Sequence, residues 1–155
     1  MSQRSVEHAA FALERTYDAS PDRVFAAWAD PQAKARWFDD SEAEVVEHDF
    51  RAGGWERRRG TAPDGRAYTF QALYQDIIPS RRIVYTYDML LDGTRISVSV
   101  ATAEFRPERD RTRLVYTEQS VFLDGHELPA RREQGMGSLL DALGAWLQSN
   151  RSDSG

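Results

Sequence analysis

The chain has 155 residues, of which 41% are hydrophobic and 29% are charged. This length suits one domain, and the composition is too apolar for a disordered chain. Cysteine is absent, which excludes disulfide scaffolds, cysteine-liganded zinc sites and thiol chemistry. Lysine and arginine number 20 against 25 aspartates and glutamates, so the formal charge is −5 and the chain lacks the basic excess of nucleic-acid-binding proteins.

The hydropathy of the chain favours a cytoplasmic protein. The first ten residues, MSQRSVEHAA, lack the apolar core of a signal peptide. No stretch approaches the ~20 apolar residues that a membrane span needs. We predict one domain over residues 8–150, with polar segments 1–7 and 151–155 as flexible tails.

A strand and two short helices are predicted first. A strand is predicted over residues 8–18. Its alternate residues Phe11, Leu13, Arg15 and Tyr17 share one face, which we expect to point inward. Ser20-Pro21 and Asp30-Pro31 each place a capping side chain before a proline that suits the first helical position. They predict one helix after residue 20 and a second over 31–37.

Six further strands are predicted from the period-2 pattern that begins near residue 43. They cover residues 43–49, 55–60, 66–78, 82–91, 94–106 and 113–122. Pro63-Asp64-Gly65 and Asp92-Gly93 supply the turn residues of tight hairpins, and residues 108–110 form a weaker turn. Short connections between successive strands predict an antiparallel meander. The basic run 57–59 is interpreted as a solvated strand or hairpin edge.

A long helix over 129–150 ends the predicted order. Its apolar stripe has helical spacing and consists of Met136, Leu139, Leu140, Leu143, Trp146 and Leu147. Only this helix is long enough to cover the sheet. We therefore predict an α+β fold in which a curved seven-stranded antiparallel sheet surrounds the C-terminal helix. This arrangement leaves a cavity between the sheet and the helix.

Strand alternation predicts which side chains face this cavity, although a shift of one residue would invert any strand. The predicted inner sets are Tyr68, Phe70, Ala72 and Tyr74; Ile83, Tyr85, Tyr87 and Met89; Ile96, Val98, Val100, Thr102 and Glu104; and Leu114, Tyr116, Glu118, Ser120 and Phe122. The predicted ligand-binding residues are Arg15, Tyr68, Phe70, Tyr74, Tyr85, Tyr87, Val98, Val100, Tyr116, Glu118, Met136, Leu140 and Leu143.

Glu118 is the candidate catalytic residue, because burial would raise the pKa of its carboxyl group toward that of a general acid or base. The alternative is a structural carboxylate paired with Arg15. His126, in the loop before the long helix, is interpreted as a surface histidine, with a role at the cavity mouth as the alternative. Residues 131–133 are interpreted as a solvated helix start, with gating of the entrance as the alternative.

The sequence predicts neither a metal nor a cofactor. Its three histidines, His8, His48 and His126, are far apart and form no closely spaced ligand pair. No Gly-x-Ser-x-Gly motif is present, and the glycines do not have the spacing of phosphate or dinucleotide loops.

Several motifs together resemble one protein family. They are the stretches RTYDASPDRVF (15–25), WADP (28–31), RWF (36–38) and DFRAGG (49–54), followed by Gly65 and Tyr68 at the next strand. The chain resembles the helix-grip fold of the SRPBCC, or START/Bet v 1-like, superfamily and within it the activator of Hsp-90 ATPase homologue-like family. One departure is Gly135-Met136, where members often carry Gly-Trp, and this affects the size of the pocket.

The resemblance implies binding of a small hydrophobic or aromatic ligand in the cavity. The first alternative is a cyclase- or dehydratase-like enzyme acting on a polyketide-like substrate, with Glu118 or a tyrosine moving protons. The second is a module that activates a chaperone ATPase. An edge strand of the sheet could also pair two copies of the chain as a homodimer.

Overall fold

A computed structural model of the chain describes residues 4–38 and 43–151, and within them seven strands and three helices follow one another. Their bounds are β1 Val6–Tyr17, α1 Pro21–Ala29, α2 Pro31–Trp37, β2 Glu44–His48, β3 Trp55–Thr61, β4 Ala67–Ile78, β5 Arg82–Leu91, β6 Thr94–Glu108, β7 Arg111–Leu123 and α3 Pro129–Ser149. The predicted α+β helix-grip architecture is confirmed, including the two short helices between the first two strands.

The strands form one antiparallel sheet in the order β1-β7-β6-β5-β4-β3-β2. Strands β2 to β7 form the predicted meander, and β1 completes the sheet by pairing with β7 from Val6 opposite Leu123 to Tyr17 opposite Thr112. The predicted hairpin glycines, Gly65 and Gly93, have φ angles of 89° and 83°. Such positive φ angles cost glycine little, which is why these residues suit the turns.

The two short helices begin where their capping residues predict. The Ser20 hydroxyl accepts a hydrogen bond from the Arg23 backbone N–H at 3.3 Å, and Asp30 accepts one from the Gln32 N–H at 3.1 Å. The Trp28 and Trp37 rings pack edge to face, 4.9 Å apart, and bury the inner sides of α1 and α2. These helices therefore close one end of the sheet.

Helix α3 crosses the inner face of the sheet close to β1. Leu140 and Leu143 on its inner side are fully buried. The Tyr17 hydroxyl donates a hydrogen bond to the Leu140 carbonyl at 2.7 Å. A Cβ atom at Gly144 would lie 3.1 Å from the Tyr17 ring, so this glycine permits the close approach of helix and strand.

The predicted inner face of β6 is wrong because the strand contains a β-bulge. Met89 pairs with Ser97 but Leu90 pairs with Arg95, so Ile96 is an additional residue between them. The bulge inverts the alternation that follows. Val98 and Val100, predicted to line the cavity, are 44% and 43% exposed, and Thr102 and Glu104 share their outer face. The inner face beyond Ile96 consists of Ser97, Ser99, Ala101, Ala103 and Phe105.

Candidate functional site

A cavity of about 490 Å³ lies between the sheet and the N-terminal half of α3. Most of its lining is aromatic or apolar, from Phe38, Pro63, Tyr68, Phe70, Tyr85, Tyr87, Met89, Tyr116, Met136 and Leu139. Gly135 and four charged residues complete it, namely Arg58, Glu127, Arg131 and Arg132. Pro63, Arg131 and Gly135 are exposed, so they mark the side on which the cavity meets solvent.

Aromatic rings from β4 and β5 form the floor of the cavity. The Phe70 and Tyr87 ring centroids are 5.0 Å apart, and those of Tyr85 and Tyr87 are 5.8 Å apart. Phe38, at the C-terminal end of α2, adds an edge-to-face contact with Phe70 at 5.4 Å. These strands alternate as predicted, and the floor offers flat apolar surface to a ligand.

Glu118 lies in a buried hydrogen-bond network beside this floor. Its Oε1 accepts a hydrogen bond from the Tyr116 hydroxyl at 2.6 Å. Its Oε2 accepts hydrogen bonds from the Tyr87 and Ser120 hydroxyls, each at 2.8 Å. The Arg132 guanidinium lies 3.5 Å away. Three hydroxyl donors and one guanidinium surround the carboxylate, and its side chain is fully buried rather than part of the cavity lining.

Arg132 connects this network to the cavity mouth. It donates two hydrogen bonds to Glu127, from Nε at 2.8 Å and from Nη2 at 2.7 Å. It also donates to the Tyr87 hydroxyl at 2.9 Å and to the Ser97 hydroxyl at 2.8 Å. The interpretation of residues 131–133 as solvated is wrong for Arg132, whose side chain is only 11% exposed. The short side chains on β6 leave room for the guanidinium.

Arg15 does not take the predicted place beside a cavity carboxylate. Its Nε donates to the Asp141 carboxylate at 2.7 Å, and its Nη2 lies 3.4 Å from the Gly137 carbonyl oxygen. The alternative in which Arg15 pairs with Glu118 is therefore wrong. Arg15 instead links β1 to the outer side of α3. The position beside Glu118 is occupied by Arg132.

A second buried network lies below the opposite end of the cavity. The Lys34 ammonium on α2 is 2.8 Å from Glu56 Oε1 on β3. Arg58 and the Tyr74 hydroxyl also donate hydrogen bonds to Glu56, and Tyr74 lies 3.2 Å from His48 Nε2. Burial lowers the pKa values of Lys34 and His48 and raises that of Tyr74. Tyr74 thus belongs to this network and not to the cavity lining.

Strand alternation and helical spacing place two further charged residues, Arg58 and Arg132, on the inner faces of β3 and α3. Arg58 lies two positions after Glu56 on β3, so both side chains face inward while Arg57 and Arg59 between and beyond them do not. The interpretation of the whole 57–59 run as solvated is wrong for Arg58, which is buried. Likewise Arg132 precedes Met136 by four residues, which puts it on the apolar stripe of α3.

The remaining predicted site residues divide into three groups. Six of them line the cavity, namely Tyr68, Phe70, Tyr85, Tyr87, Tyr116 and Met136. Leu140 and Leu143 are buried on α3 outside its lining. His126 is exposed in the loop before α3, where it lines a second, neighbouring pocket.

Among residues 4–38 and 43–151, no group of three or more histidine, aspartate or glutamate side chains could hold a metal ion. Across the same part of the chain, no helix has the length and apolar character needed to cross a membrane.

The chain is similar to known proteins in both sequence and fold. Residues 18–148 match the model of a family described as Activator of Hsp90 ATPase homolog 1-like protein. No curated protein shows significant similarity to the sequence. Solved structures resemble the chain closely. An uncharacterised protein from Rhizobium leguminosarum is 43% identical, with 95% of this chain and 99% of that chain covered and a TM-score of 0.88.

Two further solved structures extend this similarity. Protein Mll3558 from Rhizobium loti is 45% identical, with 92% of this chain and 99% of that chain covered and a TM-score of 0.86. Protein CV1439 from Chromobacterium violaceum is 26% identical, with 88% and 94% covered and a TM-score of 0.76.

Proposed function

The chain belongs to the family of Activator of Hsp90 ATPase homolog 1-like proteins, and we propose on this basis that it binds a small, largely apolar or aromatic molecule in the cavity between the sheet and α3. The cavity itself carries the proposal. Its volume of about 490 Å³ falls within the range typical of small-molecule sites, and its walls combine aromatic rings with a few charged groups.

The geometry supports binding better than the alternatives. A module that acts only through its surface would be expected to have a filled interior, whereas this interior is hollow beside Met136 and Tyr87. A cyclase- or dehydratase-like reaction would need Glu118 to reach a substrate. Its oxygens already accept three hydrogen bonds, and its side chain has no exposed surface.

Blocking the cavity tests the proposal. Met136 is buried in the cavity wall, and Met136→Trp would place a much larger ring there. Binding of 1-anilinonaphthalene-8-sulfonate, followed by its fluorescence and by displacement with 2-naphthol, should weaken about tenfold or more, which corresponds to at least about 1.4 kcal/mol. Leu139→Trp, at a half-buried lining position, provides a second block should the first variant fail to fold.

Ser138→Trp is the matched control, because it adds the same ring at an exposed position of the same helix. It should bind the dye as the wild type does. Dye binding that is absent from the wild type, or that survives unchanged in both blocking variants, would refute the proposed function.

A further inference from the structure

A chain of hydrogen bonds leads from the cavity wall to Glu118. The hydroxyl oxygens of Tyr85 and Tyr116 are 3.3 Å apart, and the Tyr116 hydroxyl continues to Glu118 Oε1 at 2.6 Å. Both tyrosines line the cavity, whereas Glu118 lies behind them. This hydrogen-bond chain therefore begins at Tyr85, a residue of the cavity lining, and ends at the buried carboxylate of Glu118.

The direction of this chain follows from proton counting. Each tyrosine hydroxyl has one proton, and an ionised carboxylate can only accept. Tyr116 therefore gives its proton to the hydrogen bond with Glu118, and Tyr85 must be the donor to Tyr116. Burial raises the pKa values of Tyr85 and Tyr116 well above 10, so both hydroxyls keep their protons.

The Tyr85 oxygen is left as an acceptor. Its proton is committed to Tyr116, and no group in the described parts of the chain, 4–38 and 43–151, is seen to donate a hydrogen bond to its oxygen. The other two tyrosine hydroxyls of the network differ, because Tyr87 accepts a hydrogen bond from Arg132 and Tyr116 accepts one from Tyr85. Buried polar atoms are usually satisfied, so a bound molecule is a suitable source of the missing donor.

We propose, on the premise that the cavity binds a small aromatic molecule as proposed above, that this molecule is a hydroxylated aromatic whose hydroxyl donates a hydrogen bond to Tyr85. The fixed direction of the Tyr85–Tyr116–Glu118 chain makes this end of the cavity selective for donors. An arene without a hydroxyl, or an aryl ether of similar shape, leaves the Tyr85 oxygen unsatisfied. One hydrogen bond of this kind changes affinity by about three- to tenfold.

Three probes of related shape test the selectivity. The affinities of 2-naphthol, 2-methoxynaphthalene and naphthalene are measured by displacement of 1-anilinonaphthalene-8-sulfonate. Wild-type protein should bind 2-naphthol about fivefold more tightly than either other probe. In Tyr85→Phe this preference should fall to about one, through loss of 2-naphthol affinity alone. Tyr17→Phe, whose hydroxyl bonds to α3 outside the cavity lining, should keep the wild-type preference.

A second variant reverses the expected change. Tyr116→Phe removes the group to which Tyr85 donates, so the Tyr85 proton becomes available to a ligand. Binding of 2-methoxynaphthalene, which offers only an acceptor, should then improve relative to 2-naphthol, a result that altered packing alone would not produce.

Two kinds of failure are distinguishable. Equal binding of all three probes by the wild type, or a preference that persists in Tyr85→Phe, would overturn this inference and leave the proposed function standing. Failure of the wild type to bind any probe or the dye would overturn the proposed function and the inference with it.

Discussion

Glu118 depends on its neighbours more than any surface carboxylate does, because it has no contact with solvent. Its charge is balanced by one guanidinium and three hydroxyl donors, and these groups face it from β5, β7 and α3. Removal of one partner from such a network leaves the others buried without compensation. The residue thus joins the aromatic floor of the cavity to the helix that covers it.

Glu118→Gln should therefore destabilise the protein. The amide keeps the size of the side chain, but its NH2 group would face hydroxyls that donate hydrogen bonds to Glu118 in the wild type. The substitution also removes the negative charge near Arg132. We expect a loss of about 3 kcal/mol in the free energy of unfolding, measured by urea denaturation. Glu108→Gln, at the exposed end of β6, should match the wild type. Equal stability of the two variants would show that the network contributes nothing.

Alternation within strands was sufficient to place Glu118 and the tyrosines of β5 on the inner face, but it could not identify their partner. Arg15 lies on the edge strand β1 and Arg132 on α3, which crosses the inner face of the sheet. The choice between them depends on how α3 is rotated about its axis. That rotation is fixed by close contacts such as the one between Gly144 and Tyr17. Such contacts join residues more than a hundred positions apart and leave no local pattern.

At the scale of the element, β6 is the strand that sequence reasoning placed wrongly. Valines on alternate positions indicated an inner face, whereas the inner residues from Ser97 to Ala103 are serines and alanines. Small side chains fit there because Arg132 and α3 occupy the space above them. A single additional residue inverted the strand, since hydropathy alone does not reveal a bulge.

The start of α3 offers another prediction at this scale. Leu128 is the N-cap residue, with φ −83° and ψ 132°, but its side chain makes no capping hydrogen bond and is 62% exposed. Serine in this backbone conformation can accept a hydrogen bond from the first helical turn. Leu128→Ser should increase the free energy of unfolding by about 1 kcal/mol, measured by urea denaturation.

Leu128→Ala is the control for this change. It removes the exposed leucine without adding a capping oxygen, so it should not reproduce the gain. If the alanine and serine variants were equally stable, the N-cap explanation would be wrong.

At the scale of the whole molecule, ionised groups are buried at both ends of the interior. One network surrounds Glu118, and the other joins α2 to β3 through Lys34 and Glu56. The second network also holds His48 close to Glu56, with the imidazole Nε2 3.8 Å from the carboxylate. Burial lowers the pKa of His48 below 6.5, and the charge of Lys34 lowers it further although Glu56 opposes this.

This shift makes the stability of the fold depend on pH. As the pH falls through 6.5, the unfolded chain takes up a proton at His48 before the folded protein does. The unfolded state then binds more protons, so stability decreases with falling pH until the lowered pKa of the folded state is reached. His48→Gln should reduce the loss of stability between pH 7 and pH 5, measured by urea denaturation at several pH values.

His126→Gln provides the comparison, because that histidine lies exposed in the loop before α3. Its pH profile should follow that of the wild type. A His48→Gln profile with the same slope as the wild type would show that acid sensitivity arises from other groups.

The pairing of β1 with β7 has a consequence for how the protein is made. Of the seven strands described, β1 is translated first, yet its partner β7, with Leu123 opposite Val6, is translated last. Until then Phe11, Leu13 and Tyr17 have neither the neighbouring strand nor α3 to cover them. Contacts this distant in sequence slow folding and prolong the exposure of apolar segments. The apolar side of β1 can therefore be covered only after β7 and α3 have been translated.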